Sequence, residues 1–296
     1  MRIKGVIVAA GYGSRFLPIT KTVPKEMLPL LDRPSISFIV DEFIEAGIDE
    51  ILIISSRRKK VLEDFFDREM ELESVFRAEG KSDRLAQIKP PPAKFFFTRQ
   101  QQMRGTGHAL LCAQPFVGDC PFVVAYPDDL VFDKTSLARQ LVEVYRQTGS
   151  SVLAAKDMGD VDVSRYGVLD VVDAASNPSP VRQLVEKPKP GREPSKWVSF
   201  GRFLLTPDIF PHLEEGWRRH LAQSPDAEFY HVDAINRLAA AGNLVSWSFA
   251  GLRLDTGQVE GYLESICRYA LMRPELADFA RNLFRKLSEP GVSQER

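Results

Sequence analysis

A chain of 296 residues with 44% hydrophobic content can bury the core of one large α/β domain carrying an arm, or of two smaller domains. Its 39 basic and 40 acidic residues leave a net charge of −1, so no global field draws it to nucleic acid or a membrane surface, and any anion site must be local. No apolar stretch reaches the roughly 18 to 20 residues of a membrane span, and Cys112, Cys120 and Cys267 are odd in number and lack C-x-x-C spacing, as buried thiols in a reducing, cytoplasmic compartment would.

Met1-Arg2-Ile3-Lys4 and the apolar run to Ala10 superficially resemble a signal peptide, but the run is short and passes directly into Gly11-Tyr12-Gly13. It reads as a central parallel strand, since Gly5 to Ala10 is apolar without alternation. Ile36, Ile39, Val40, Phe43 and Ile44 then recur at helical spacing until Gly47, and Ile51 to Ile54 forms a second apolar run. This is a β-α-β unit with a long loop where a doubly wound fold binds its ligand. Val61 to Leu85 is charged and amphipathic and reads as a surface or interface helix. Phe95 to Thr98, Pro121 to Tyr126 and Ser151 to Ala155 predict further strands, with helices around His108 to Ala113 and Leu137 to Tyr145. Beyond residue 155 the runs Tyr166 to Val172, Val181 to Val185 and Val198 to Leu205 read as an antiparallel extension covering one side of a pocket. Asp233 to Ala240 predicts a helix, Leu244 to Phe249 a strand, and Glu260 to Leu287 a helical arm interrupted at Pro274.

The most informative stretch follows the first strand: Gly11-Tyr12-Gly13-Ser14-Arg15-Phe16-Leu17-Pro18. Two glycines let backbone N–H groups turn onto a phosphate, and Arg15 offers a planar fork to its oxygens. A P-loop is excluded because no Gly-Lys-Ser/Thr occurs, and a dinucleotide fingerprint because Phe16 stands where a small residue is needed. Asp32 has the spacing of a ribose-binding acid but falls among Pro29, Arg33 and Pro34, before the first helix. In Pro24-Lys25-Glu26-Met27-Leu28-Pro29 the flanking prolines restrict the backbone around Lys25, which suits an ammonium held toward phosphate.

These two motifs, with Arg99-Gln100, Gly105-Thr106-Gly107-His108-Ala109, Pro127-Asp128, Arg165-Tyr166-Gly167-Val168, Val185-Glu186-Lys187-Pro188, Gly201-Arg202-Phe203 and Asp255-Thr256-Gly257, closely resemble the bacterial UTP–glucose-1-phosphate uridylyltransferases along nearly the whole chain. The resemblance implies a Rossmann-like nucleotidyltransferase fold: a mixed, mainly parallel sheet flanked by helices, with a small antiparallel extension and a C-terminal helical arm. It places the catalytic domain at residues 1–255, its nucleotide-binding part at about 1–155 and its sugar-binding part at about 156–255, and the arm at 256–296.

On this resemblance, Ala10, Gly11 and Gly13 hold the nucleotide, and Gln100 and Gly105 contact the base, Gln100 offering a donor and an acceptor to the uracil edge. Arg15, Lys25 and Lys187 neutralise phosphates, Gly167, Glu186, Gly201 and Arg202 line the sugar site, and Asp128 and Asp255 bind Mg²⁺, a hard cation that takes one or two carboxylates with substrate phosphates and water. Asp129 reads as a supporting or turn residue, and His108 as a structural or substrate-positioning one. UTP and glucose 1-phosphate are the implied substrates, UDP-glucose and pyrophosphate the products, and a homodimer or homotetramer the implied assembly.

The sequence departs from the resemblance at Ala227-Glu228-Phe229-Tyr230-His231-Val232-Asp233, where Gly-Glu-Ile-Gln-Leu-Thr-Asp is usual, and at Thr106, where Leu is common. Three alternatives stay open at this level: the same chemistry with dTTP, ATP or CTP, a silent sugar-nucleotide-binding subunit, and, ranked last, an NAD-dependent oxidoreductase.

Overall fold

The computed structural model describes residues 2–289. Its centre is a nine-stranded sheet built from β1 (Lys4–Val8), β2 (Glu50–Ser55), β3 (Lys94–Arg99), β4 (Phe122–Ala125), β5 (Ser151–Asp157), β6 (Gly167–Val171), β7 (Ser179–Glu186), β8 (Trp197–Leu205) and β9 (Leu244–Ser248). The strand order is β3-β2-β1-β4-β8-β5-β9-β7-β6.

Alternation across the strands explains their unbroken apolar runs. Ile7, Ile51, Ile53, Val123 and Ala125 face one core, with Ile36, Ile39, Phe43 and Leu141 from helices Ser35–Glu45 and Leu137–Thr148. Val6, Leu52, Ile54, Phe122 and Val124 face the other, with Leu110, Leu213 and Ile235 from helices Thr106–Leu111, Ile209–Gln223 and Val232–Ala240. Both faces are covered, so both residue parities must be apolar. Full burial of each such Ile, Val or Leu is worth about 1.5 to 3 kcal/mol.

Strands β1, β2, β3 and β4 are mutually parallel, with Val6 opposite both Leu52 and Val124. Their carboxyl ends therefore share one rim, which carries the loops that begin at Ala9, Gln100 and Tyr126. The three later runs are antiparallel as predicted, but β8 lies inside the sheet, antiparallel to both β4 and β5. Only β6 and β7 form a true extension at the far edge.

A two-stranded pairing of Asp129–Phe132 with Leu252–Asp255 sets Asp255 directly opposite Asp129. This brings residue 255 back to the rim of β4. The charged 61–85 region forms three short helices, Val61–Phe66, Met70–Ala78 and Ser82–Gln87. The arm consists of helices Val259–Met272 and Ala277–Ser288, broken around Pro274, and its residues 290–296 lie outside the described part of the chain. Cys112, Cys120 and Cys267 are free thiols, half-buried where full burial was expected.

Candidate active site

The loop after β1 folds through three single 3₁₀ turns, Ser14–Phe16, Ile19–Lys21 and Lys25–Met27. Internal bonds hold it. The Thr20 hydroxyl donates to the Gly13 carbonyl at 2.7 Å, and the Ser35 hydroxyl to the Leu28 carbonyl at 2.8 Å. Beneath it lies a buried ion pair that the sequence did not reveal: Lys59 Nζ is 2.8 Å from both carboxylate oxygens of Glu26 and also donates to the Ala9 carbonyl. Glu26 and Lys59 are 1% and 5% exposed, so the pair ties the segment carrying Lys25 to the end of β1.

A cavity of about 350 Å³ opens over this rim. Ala10, Gly11, Gly13, Gln100 and Gly105, the five residues expected to hold the nucleotide, all line it, together with Lys25, Tyr126 and Glu228. Gly105 has φ +91°, and a Cβ there would stand 2.6 Å from the Phe229 carbonyl oxygen, so only glycine fits. Gln100 is 4% exposed, and its Nε2 lies 3.0 Å from the Gly105 carbonyl and 3.0 Å from His108 Nδ1. The expected pairing of a donor and an acceptor with the base is therefore narrowed, because the donor end is engaged within the protein.

The unusual 227–233 segment braces this corner. Phe229 N–H donates to the Arg104 carbonyl at 2.8 Å, and Gly107 N–H donates to the Phe229 carbonyl at 2.9 Å. Thr106 Oγ1 and His231 Nδ1 are 2.8 Å apart, so two positions that depart from the resemblance touch each other. Burial holds His231 at about 4, which keeps it neutral around pH 7.

At the mouth of the cavity Lys25 forms an ion pair with Asp128. Burial opposes charge on both. The mutual attraction, helped at Lys25 by Glu26 and at Asp128 by Arg15, nevertheless leaves Lys25 above and Asp128 below their ordinary values. Arg15 reaches across to the Gly257 carbonyl at 3.3 Å. Asp128 and Asp255 converge beside Gly257: a Cβ built there would lie 3.0 Å from Asp128 Oδ2 and 3.2 Å from Asp255 Oδ1. The missing side chain keeps carbon away from two hard carboxylate oxygens. The donor set thus fits Mg²⁺ with two protein ligands, the remainder being phosphate oxygens and water. Among the described residues no cluster of three or more His, Cys, Asp or Glu is assembled.

Asp129, read as a supporting or turn residue, closes a turn with its N–H on the Tyr126 carbonyl, while Arg253 Nε donates to its Oδ1 at 2.6 Å and Gly201 N–H to its Oδ2 at 3.2 Å. Arg253, which the sequence reading missed, also contacts Asp255 at 3.4 Å. Its signal was present, because a strand puts residues two apart on one face.

On the far side, Glu186 ends β7 opposite Gly167, and a Cβ on Gly167 would stand 3.3 Å from Glu186 Oε2. Lys187 Nζ lies 3.3 Å from Glu186 and 5.6 Å from the centre of the Tyr230 ring. Tyr126 lies between the two sides: its hydroxyl is buried near Thr106, and its phenol is pushed up by burial, against a lowering contact from Thr106, with smaller upward contributions from the charges of Asp128 and Glu186. Gly201 packs against Tyr126, and its backbone is engaged by Tyr126 and Asp129.

Arg202 is a correction. It is 1% exposed and its guanidinium is consumed by Glu42, at 2.9 and 3.0 Å, and by the carbonyls of Asp129 and Gly201. It anchors helix Ser35–Glu45 to the rim with four of its five N–H groups, and its burial keeps it out of the cavity lining.

A glycine loop, a base-sized cavity and a mouth of opposed carboxylates and cations at the carboxyl rim of a parallel sheet define a nucleotide-binding α/β protein equipped for phosphate-ester chemistry. The sequence pattern of the nucleotidyl transferase family matches residues 4–270. A Staphylococcus saprophyticus protein named UTP–glucose-1-phosphate uridylyltransferase 2 is 39% identical over 286 residues, 95% of this chain and 97% of its own. A UTP-bound UGPase from Acinetobacter baumannii superposes with TM-score 0.86 at 32% identity, covering 97% of this chain and 100% of that one. A UDP-glucose pyrophosphorylase complexed with UDP-glucose gives TM-score 0.80 at 35% identity, over 92% of this chain and 100% of that one. The chain belongs to the nucleotidyl transferase family, in its branch of UTP–glucose-1-phosphate uridylyltransferases.

Proposed function

We propose that the chain transfers a uridylyl group from UTP to glucose 1-phosphate, giving UDP-glucose and pyrophosphate. The observation that carries the reading is the single cleft in which the glycine loop, the Gln100–Gly105 corner and the Lys25–Asp128 pair meet, in a chain 39% identical to named uridylyltransferases over nearly its full length. The sugar phosphate oxygen attacks the α-phosphorus of UTP in line. A P–O bond forms there as the bond to the β-phosphate oxygen breaks, and pyrophosphate leaves with the electron pair.

The nucleophile is already an anion, so the protein has no proton to remove. Its task is to hold two mutually repelling polyanions in contact and to spread the charge that develops between them. Arg15 and Lys25 face the triphosphate side, and Lys187 serves the sugar phosphate. Glu186 accepts from sugar hydroxyls, while Gly167 and Gly201 keep that side free of side chains. Asp128 and Asp255 would hold Mg²⁺, which when bound supplies further neutralisation of the phosphates.

The free thiols of Cys112, Cys120 and Cys267 support a reducing, cytoplasmic setting, and no helix among the described residues is long and apolar enough to cross a membrane. Exposed Leu263, Phe279 and Leu287 on the two arm helices support a homo-oligomer built through the arm. Pyrophosphate release tests the reaction, with each triphosphate in turn and with sugar or metal omitted. Release dependent on UTP, glucose 1-phosphate and Mg²⁺ is expected. UDP-glucose binding without release would identify a silent subunit instead.

A further inference from the structure

The amide of Gln100 has one orientation that its neighbours permit. Its Nε2 faces the Gly105 carbonyl at 3.0 Å, and a backbone carbonyl only accepts, so the end facing it must be the NH₂. The second hydrogen then falls to His108 Nδ1, also at 3.0 Å. That nitrogen must be unprotonated, which puts the imidazole proton on Nε2. Burial, and then the nearby Arg104 charge, hold the His108 pKa below its ordinary value and so favour this neutral ring. Trp217 packs against the imidazole with ring centres 5.0 Å apart and fixes its plane. With both amide hydrogens spent, Gln100 has only its carbonyl oxygen to offer the cavity it lines.

We propose that His108 is a positioning residue that locks Gln100 with Oε1 toward the base, and that this lock makes the site select uracil and thymine over cytosine. The inference rests on the uridylyl-transfer reading and adds to it the origin of base choice. Uracil carries an N3–H that donates to Oε1. Cytosine N3 is an acceptor, so it would meet Oε1 lone pair to lone pair. A half-turn of the amide would present NH₂ and admit cytosine. While His108 is the Nε2–H tautomer that turn loses two hydrogen bonds and sets Oε1 against two acceptors, and it becomes tolerable at the imidazole only if the ring moves its proton to Nδ1; with an apolar residue there, Gly105 alone resists it.

The test is kcat/KM for UTP and for CTP, each with glucose 1-phosphate, in the wild type, His108→Leu and His108→Asn. Asn keeps an acceptor near the place of Nδ1. The UTP:CTP ratio is expected to fall about tenfold in His108→Leu, mainly through KM, because an interaction with the unreacting base is lost equally from ground and transition states. It is expected to stay within about twofold of wild type in His108→Asn, since the hydrogen bond is retained. An unchanged ratio in a folded His108→Leu, or an equal fall in His108→Asn, overturns the lock. Should His108→Leu not fold, ¹⁵N spectra of the wild-type histidines decide: the Nε2–H tautomer at pH 7 is required, and the Nδ1–H tautomer overturns the lock. Wild-type UTP turnover with an unchanged variant ratio would refute the lock alone, whereas absence of UTP turnover would refute the uridylyl reading and the lock with it.

Discussion

Asp128 and Asp255 point at one spot, the place where a side chain on Gly257 would be: 3.0 Å from Asp128 Oδ2 and 3.2 Å from Asp255 Oδ1. Two carboxylates so placed repel each other unless cations intervene. Lys25 on Asp128 and Arg253 beside Asp255 supply part of that compensation, and a divalent cation between the acids would supply the rest.

Filling that spot should damage metal use before anything else. Gly257→Ala is expected to lower turnover by about 10² to 10³ and to shift the Mg²⁺ requirement upward, while UTP binding measured without metal changes little. A magnesium titration of pyrophosphate release checks this. A normal Mg²⁺ curve would remove Asp128 and Asp255 from the metal site.

The Lys25–Asp128 pair sets a pH window. Asp128 is held below its unfolded value of about 3.9, so its stabilising contribution is present above that value and disappears as pH falls through the depressed folded one. Lys25 is held above its unfolded value of about 10.4, so its contribution is complete below that and is lost as pH rises through the folded one. The pair therefore contributes between about pH 4 and 10. Asp128→Asn should remove this pair's share of the acid-side loss, measured as the urea midpoint against pH. In turnover, Asp128→Asn, Lys25→Ala and Arg15→Ala should each cost about 10² to 10³.

The parallel half was legible in the sequence because buried parallel strands announce themselves as unbroken apolar runs: Gly5 to Ala10 and Ile51 to Ile54 required no partner to be recognised. That one cavity gathers Ala10, Gly11, Gly13, Gln100 and Gly105 was partly legible, because the first three are consecutive or nearly so, and the resemblance supplied Gln100 and Gly105. Strand order was not. That β8 enters the middle of the sheet depends on pairing with β4 and β5, and a local apolar pattern carries no record of neighbours. Arg202 failed for a related reason, since its partner Glu42 is remote in sequence. Lys59 sits in a run of surface-like charges, Arg57-Arg58-Lys59-Lys60, and nothing local marks it as the buried one.

Arg202 should matter for stability and not for sugar affinity. Arg202→Met leaves Glu42 buried and unpaired, which is expected to destabilise the fold by roughly 3 to 5 kcal/mol. Chemical denaturation checks the loss. A variant of native stability with a raised KM for glucose 1-phosphate would return Arg202 to the sugar site.

Lys59→Met should act at a distance on Lys25. It strands Glu26 under the loop, at a comparable cost of roughly 3 to 5 kcal/mol, and releases the segment that aims Lys25 at Asp128. Thermal denaturation and turnover should fall together, and an active variant with an unaltered unfolding midpoint would contradict this role.

Uridylyl transfer to glucose 1-phosphate is read by pyrophosphate release from the purified chain with glucose 1-phosphate and Mg²⁺, comparing UTP with dTTP, ATP, CTP and GTP. Fastest release with UTP, lost when either sugar or metal is omitted, is the predicted result. No release with any triphosphate from a folded protein that still binds UDP-glucose would contradict it.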